Sequence, residues 1–288
     1  MSVETAECSD VRIAYETFGS RENPPVLLIM GLATQMLAWN ESFCTQLADR
    51  GFRVIRFDNR DIGLSTHMSD AGVPDLTGAT PLKAPYLLSD MAEDAVGLLD
   101  ALEIDRAHIV GASMGGMIAQ ELVINHPGRV LSLTSIFSTT SPDVGPPTPE
   151  ANAVLWMPPA KTPDDAVTRA LRVYRVIGSP DFPFDEERLS AVAREAFSRE
   201  TDPMGVARQL AAIQASGDRA GRLGSVTVPT LVIHGDRDPL VQPEGGVATR
   251  DAIEGARLLT FPGMGHDLCR EVWTPIIDAI EENAAAAV

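Results

Sequence analysis

Gly111-Ala112-Ser113-Met114-Gly115 is the part of the chain whose residue types and spacing first suggest chemistry. A short apolar run at 107–110 leads directly into it, and a helical pattern over 114–125 leads out. In so tight a strand-to-helix bend the flanking residues must lack bulk, and the central hydroxyl is held out at the sheet's C-terminal edge as a nucleophile. A helix starting at Met114 also aims its positive dipole end at charge developing on an attacked carbonyl oxygen. Near neutral pH a serine hydroxyl needs a base to take its proton. Of the five histidines, His266 in Gly263-Met264-Gly265-His266-Asp267 follows a strand near the C-terminus, where the base of a serine, acid, histidine chain order should fall. His67 and His126 read as loop or solvent-facing residues, His108 lies in the strand before the bend, and His234 precedes the acid. That acid should fix the tautomer of the imidazole and stabilise its protonated form. His234-Gly235-Asp236-Arg237-Asp238-Pro239 offers two candidates. Asp238 is favoured by its three-residue offset from Gly235; Asp236 is the alternative, and either could simply cap a turn. The oxyanion needs two backbone donors: the N–H of Met114, and that of Leu32, where Gly31 gives the main chain room to approach. Substitution of Leu32 need not remove a main-chain donor.

The elements that must position these groups alternate. Strands are expected at 11–18, 26–30, 53–57, 107–110, 130–137, 230–234 and 257–261. Helices are expected at 39–50, 89–102, 114–125, 243–253 and from about 268 onward. Strands alternating with helices imply right-handed βαβ units and a mostly parallel sheet. The segment 58–85 reads as a long loop. The alternation stops at 138–223. Four prolines between 141 and 149 forbid regular helix there, and three helical segments follow at 164–177, 185–199 and 204–215 with no strand between them. The expected organisation is therefore an α/β core of residues 1–137 and 224–288, carrying a helical cap, or lid, over 138–223. A lid over the strand ends could control water and substrate choice.

Composition narrows the class. The chain has 288 residues, 44% of them apolar and 22% charged, as in globular proteins with a sizeable core. The net charge of −17 and the scarcity of lysine, found only at Lys83 and Lys161, disfavour nucleic acid or an anionic membrane as partner. The N-terminal stretch lacks the apolar core of a secretory signal, and the apolar run at 26–30 is too short to span a bilayer. Three dispersed cysteines, Cys8, Cys44 and Cys269, have no metal-like spacing and fit a reducing cytoplasm.

These residues together resemble the α/β-hydrolase superfamily over nearly the whole chain. Asp58-Asn59-Arg60-Asp61-Ile62-Gly63-Leu64-Ser65 is similar to its D-x-R-G-x-G-x-S loop, with Asp61 where glycine is commoner. Met30-Gly31 stands where His-Gly is commoner. With the Trp-containing segment 32–39 and the Pro-rich start of the insertion, these departures resemble the serine esterase branch similar to aclacinomycin methylesterase. The resemblance implies hydrolysis of a small, largely apolar carboxylic ester through an acyl-enzyme, with no metal and no cofactor, in a pocket lined by Gly31, Leu32, Met114 and Trp156. The same triad would also serve a cofactor-free perhydrolase or haloperoxidase, or a lactonase. A non-catalytic small-molecule binding protein is the reading from another class, and homo-oligomerisation stays open.

Overall fold

The apolar runs at the centre of the chain's sheet are buried on both faces, as strands between two helical layers must be. The computed structural model describes residues 3–8, 10–200 and 202–287. Its strands are β1 (Glu4–Cys8), β2 (Val11–Phe18), β3 (Pro25–Ile29), β4 (Arg53–Phe57), β5 (Ala107–Ala112), β6 (Val130–Ile136), β7 (Thr230–Gly235) and β8 (Arg257–Phe261). They form one sheet in the order β1-β2-β4-β3-β5-β6-β7-β8. β1 and β2 pair antiparallel, as do β2 and β4, and all pairings from β4 onward along that order are parallel. Successive side chains on a strand face opposite ways. Leu27 and Ile29 therefore join one core with Ile109, Leu99 and Leu122, while Val26 and Leu28 join another with Phe43, Ile276 and Ile280.

The helices are α1 (Glu41–Asp49), α2 (Leu88–Ala101), α3 (Met114–Asn125), α4 (Pro149–Leu155), α5 (Pro163–Ile177), α6 (Glu186–Arg199), α7 (Pro203–Ser216), α8 (Ala220–Leu223), α9 (Glu244–Ala252) and α10 (Trp273–Ala285). α2 and α3 cover the first face, α1 and α10 the second. The five helices from α4 to α8 all lie between β6 and β7 in the chain.

Three departures from the sequence reading have physical causes. β1 is an edge strand with charged, largely exposed residues, so it lacks the apolar pattern that marks a strand. α4 begins with Pro149 in its first turn, where the missing N–H has no acceptor to lose, and Thr148 caps it by accepting from Ala151 N–H at 3.2 Å. The last helix starts at Trp273 because residues 270–272 first make a 3-10 turn. Among the described residues no helix is long and apolar enough to cross a membrane.

Candidate active site

The bend after β5 is built by close approach. A Cβ on Gly111 would lie 2.2 Å from the Gly115 carbonyl oxygen, and one on Gly115 would lie 2.1 Å from that of Ile29. No side chain fits at either position. Ser113 between them takes φ 56°, left-handed for a residue that is not glycine. Its backbone is fixed on both sides: its N–H donates to the Ile136 carbonyl at 2.9 Å, and its carbonyl accepts from Ser138 Oγ at 2.8 Å.

The loop after β8 brings His266 to this serine, with Nε2 to Ser113 Oγ at 2.9 Å. His266 Nδ1 lies 2.7 Å from Asp238 Oδ2. A carboxylate only accepts, so Nδ1 carries the proton, and Nε2 of the neutral ring is left to accept from the serine hydroxyl. Asp238 is 3% exposed, and its other oxygen accepts the N–H groups of Leu240 at 2.9 Å and Val241 at 3.0 Å. Asp236, the alternative acid, instead accepts the Gly263 N–H at 2.7 Å and holds the histidine loop. His234 lies buried beside the acid, its Nε2 3.6 Å from Asp238 Oδ2 and 2.8 Å from the Val241 carbonyl. Burial pushes its imidazole below the ordinary range against the opposing pull of Asp238.

The two turns that carry the oxyanion donors expected from the sequence both adjoin Ser113. Met114 opens α3, so its N–H has no carbonyl within the helix to meet. A Cβ on Gly31 would lie 3.0 Å from Ser113 Cβ, so the Gly31-Leu32 turn packs directly against the serine. Leu32 N–H has no protein acceptor among the described residues. Asn59 Nδ2 donates to the Met30 carbonyl at 2.9 Å, supporting the turn from a side chain other than the more usual histidine. Trp156 follows α4 and is 53% exposed; among the described residues nothing joins it to Ser113. A cleft of about 710 Å³ lined by Tyr174, Ser179, Phe182, Arg237 and Pro239 runs beside the acid loop, and neither Trp156 nor Ser113 lines it.

Several groups around the site carried no recognisable sequence signal. The Phe137 ring stands 4.6 Å from that of His266. The His266 N–H donates to the Ile177 carbonyl at 2.7 Å, and Gly265 N–H to Ser179 Oγ at 2.9 Å. Asp267 accepts from Ser179 N–H at 2.8 Å, and burial raises its carboxyl while those Ser179 bonds oppose the shift. Of these, Gly265 and Asp267 alone had a visible clue, their place on either side of His266. Asp61, His67 and Asp202 are a group with metal-like spacing. The Arg208 guanidinium already bridges it, at 2.7 Å from Asp61 Oδ1 and 2.8 Å from Asp202 Oδ2, so a cation's place there is filled.

A family model described as "alpha/beta hydrolase fold" matches residues 24–271. The chain is 29% identical over 301 residues to the rhodomycin D methylesterase DauP of Streptomyces sp. (strain C5), covering 96% of each chain. It is 30% identical over 255 residues to the putative carbamate hydrolase RutD of Variovorax paradoxus (strain S110), covering 88% of each. Among solved structures, the enol-lactonase from Burkholderia xenovorans LB400 superposes with a TM-score of 0.77 at 25% identity, over 98% of this chain and 100% of that one.

Proposed function

The chain belongs to the alpha/beta hydrolase fold family, and from that premise we propose that Ser113, His266 and Asp238 hydrolyse a small carboxylic ester through an acyl-enzyme. The observation that carries this reading is the unbroken relay from Ser113 Oγ to His266 Nε2 at 2.9 Å and from Nδ1 to Asp238 at 2.7 Å. Ser113 Oγ attacks the ester carbonyl carbon as its proton passes to His266 Nε2. The N–H groups of Met114 and Leu32 meet the negative oxygen as backbone donors that need no reorganisation when the charge develops. His266 returns the proton to the leaving alkoxide, the C–O bond breaks, and the alcohol departs. Water then gives a proton to His266 and attacks the acyl carbon; Ser113 recovers the proton as the acid leaves. A likeness to a methylesterase and an enol-lactonase supports an open or cyclic ester alike, because ring closure changes only whether the alcohol leaves. The inserted helices over 138–223 act as a lid above the site.

The test is turnover of methyl and p-nitrophenyl esters by wild type and Ser113→Ala, with a fluorophosphonate label on the serine. Removing the nucleophile should lower kcat roughly a millionfold with the fold intact. Equal turnover by the variant, or an unlabelled wild-type serine, rejects the mechanism. An acetate and peroxide arm that outpaces ester hydrolysis would move the assignment to a perhydrolase.

A further inference from the structure

The turn that carries Leu32 is held from within only at its carbonyl, where Leu32 O accepts from Thr34 Oγ1 at 2.8 Å. Ala33, the next residue, sits at φ 58°, a left-handed conformation unfavourable for a residue with a Cβ. Its N–H donates to Gln209 Oε1 at 3.1 Å, and Gln209 belongs to α7, 176 positions away in the chain. Gln209 is fully buried, and its amide is used at both ends: Nε2 donates to the Arg60 carbonyl at 2.9 Å. The other inserted helix nearby grips the same segment. Gln35 Nε2 donates to the carbonyls of Ala196 at 2.9 Å and Glu200 at 3.1 Å at the end of α6, and Arg199 reaches back to Gln35 Oε1 at 2.8 Å and Asp58 Oδ2 at 2.9 Å. From the core side, Met36 N–H donates to Asp58 Oδ1 at 2.7 Å and Asn59 holds the Met30 carbonyl. The peptide plane joining Leu32 to Ala33 is thus held at its carbonyl by Thr34 and at its N–H from α7, while its neighbours are pinned by α6 and the core. Rotation of that plane would turn the backbone on which the Leu32 N–H is mounted.

We infer that Gln209 is a positioning residue for the oxyanion hole: by accepting the Ala33 N–H it holds a strained turn so that the Leu32 N–H points at the reacting carbonyl oxygen. This rests on the ester-hydrolase reading above. It makes the inserted helices part of the catalytic apparatus as well as its cover.

Gln209→Met keeps the side chain's length and apolar stem and deletes both hydrogen bonds. Because small misplacements of a catalytic group are expensive, kcat should fall about ten- to a hundredfold, with KM within about twofold. Affinity for an alkylboronic acid, which places negative oxygen in the hole after adding to Ser113, should fall by the same factor as kcat/KM. Affinity for the product carboxylic acid should hardly move. Gln209→Glu, whose buried carboxyl can in its protonated form accept from Ala33 and donate to the Arg60 carbonyl, should recover much of the kcat. Titration with a fluorophosphonate counts folded, competent serines, so a mere loss of stability is divided out. Unchanged kcat per labelled serine overturns the inference, and so does a rise in KM alone, which would make Gln209 a wall of the pocket. Should the Met variant not fold, Gln209→Asn gives the same comparison with a side chain too short to reach Ala33, and again unchanged kcat overturns it. Failure of the underlying reading looks different: the wild type itself would be neither labelled nor active.

Discussion

Two aspartates stand two positions apart in the loop after β7, and their partners divide their duties. Asp238 faces the Nδ1–H of His266 and is held by two backbone N–H groups, whereas Asp236 ties the glycine at 263. Asp238→Asn can offer an NH₂ group to Nδ1, which would move the imidazole proton to Nε2 and leave no lone pair for Ser113. That change should lower kcat by about 10⁴ with little effect on stability. Asp236→Asn keeps an oxygen for Gly263 and should stay within a few-fold of wild type by any tautomer argument. Steady-state kinetics on both variants check this; equal losses would show that the two carboxylates share one structural task. Ser113, Asp238 and His266 were legible because each sits in a short local pattern of glycines after an apolar run. Gln209, Phe137 and Ser179 were not, because their significance lies in contacts with residues far off in the chain.

At the scale of elements, α7 is fastened to the loop after β4 by a buried ion pair. Asp61 is fully buried, takes φ 68°, and accepts from Arg208 at 2.7 Å and 2.8 Å, from the Tyr86 hydroxyl at 2.7 Å and from the Met68 N–H at 2.7 Å. This explains the departure from glycine noted in the sequence: aspartate tolerates the left-handed backbone better than most residues and gains a cation. Arg208→Met would leave that carboxylate buried without its counter-charge, a loss of about 3 kcal/mol or more. Adding Asp61→Asn to Arg208→Met should return part of that loss, since the amide needs no cation. Urea unfolding of the two single variants and the double variant measures the coupling, and simple additivity would mean the pair does not act as one. The amphipathic stripes of α5 to α7 were visible in the sequence. β1 was not, since an edge strand covered on one side by α2 alone needs few apolar residues.

Across the whole molecule, acid should loosen the sheet at a point remote from the site. His108 lies on β5, 2.8 Å from Ser132 Oγ on β6 and edge-on to Phe52. Burial first, and Arg106 second, push its imidazole down to about 4. An unfolded histidine takes up its proton near 6.5, so on acidification the unfolded chain binds that proton first. The stability gained by keeping His108 neutral is complete above about pH 6.5 and disappears as pH falls toward about 4. His108→Asn, whose oxygen can take the place of Nδ1, should flatten that part of the acid slope in urea titrations at pH 7, 6, 5 and 4.5. An unchanged slope would rule His108 out as its source. The sheet order and the two cores followed from strand alternation, but which loop meets which helix did not, because those encounters are decided by three-dimensional packing. One such encounter limits how this protein can be re-engineered. The main chain of His266 hangs from the carbonyl of Ile177, so a module grafted between β6 and β7 from another hydrolase would bring a foreign hinge for the imidazole. Recombinants that carry the stretch from 177 to 179 along with the loop at 263–267 should keep their turnover, while those that split the two should retain shape and lose speed.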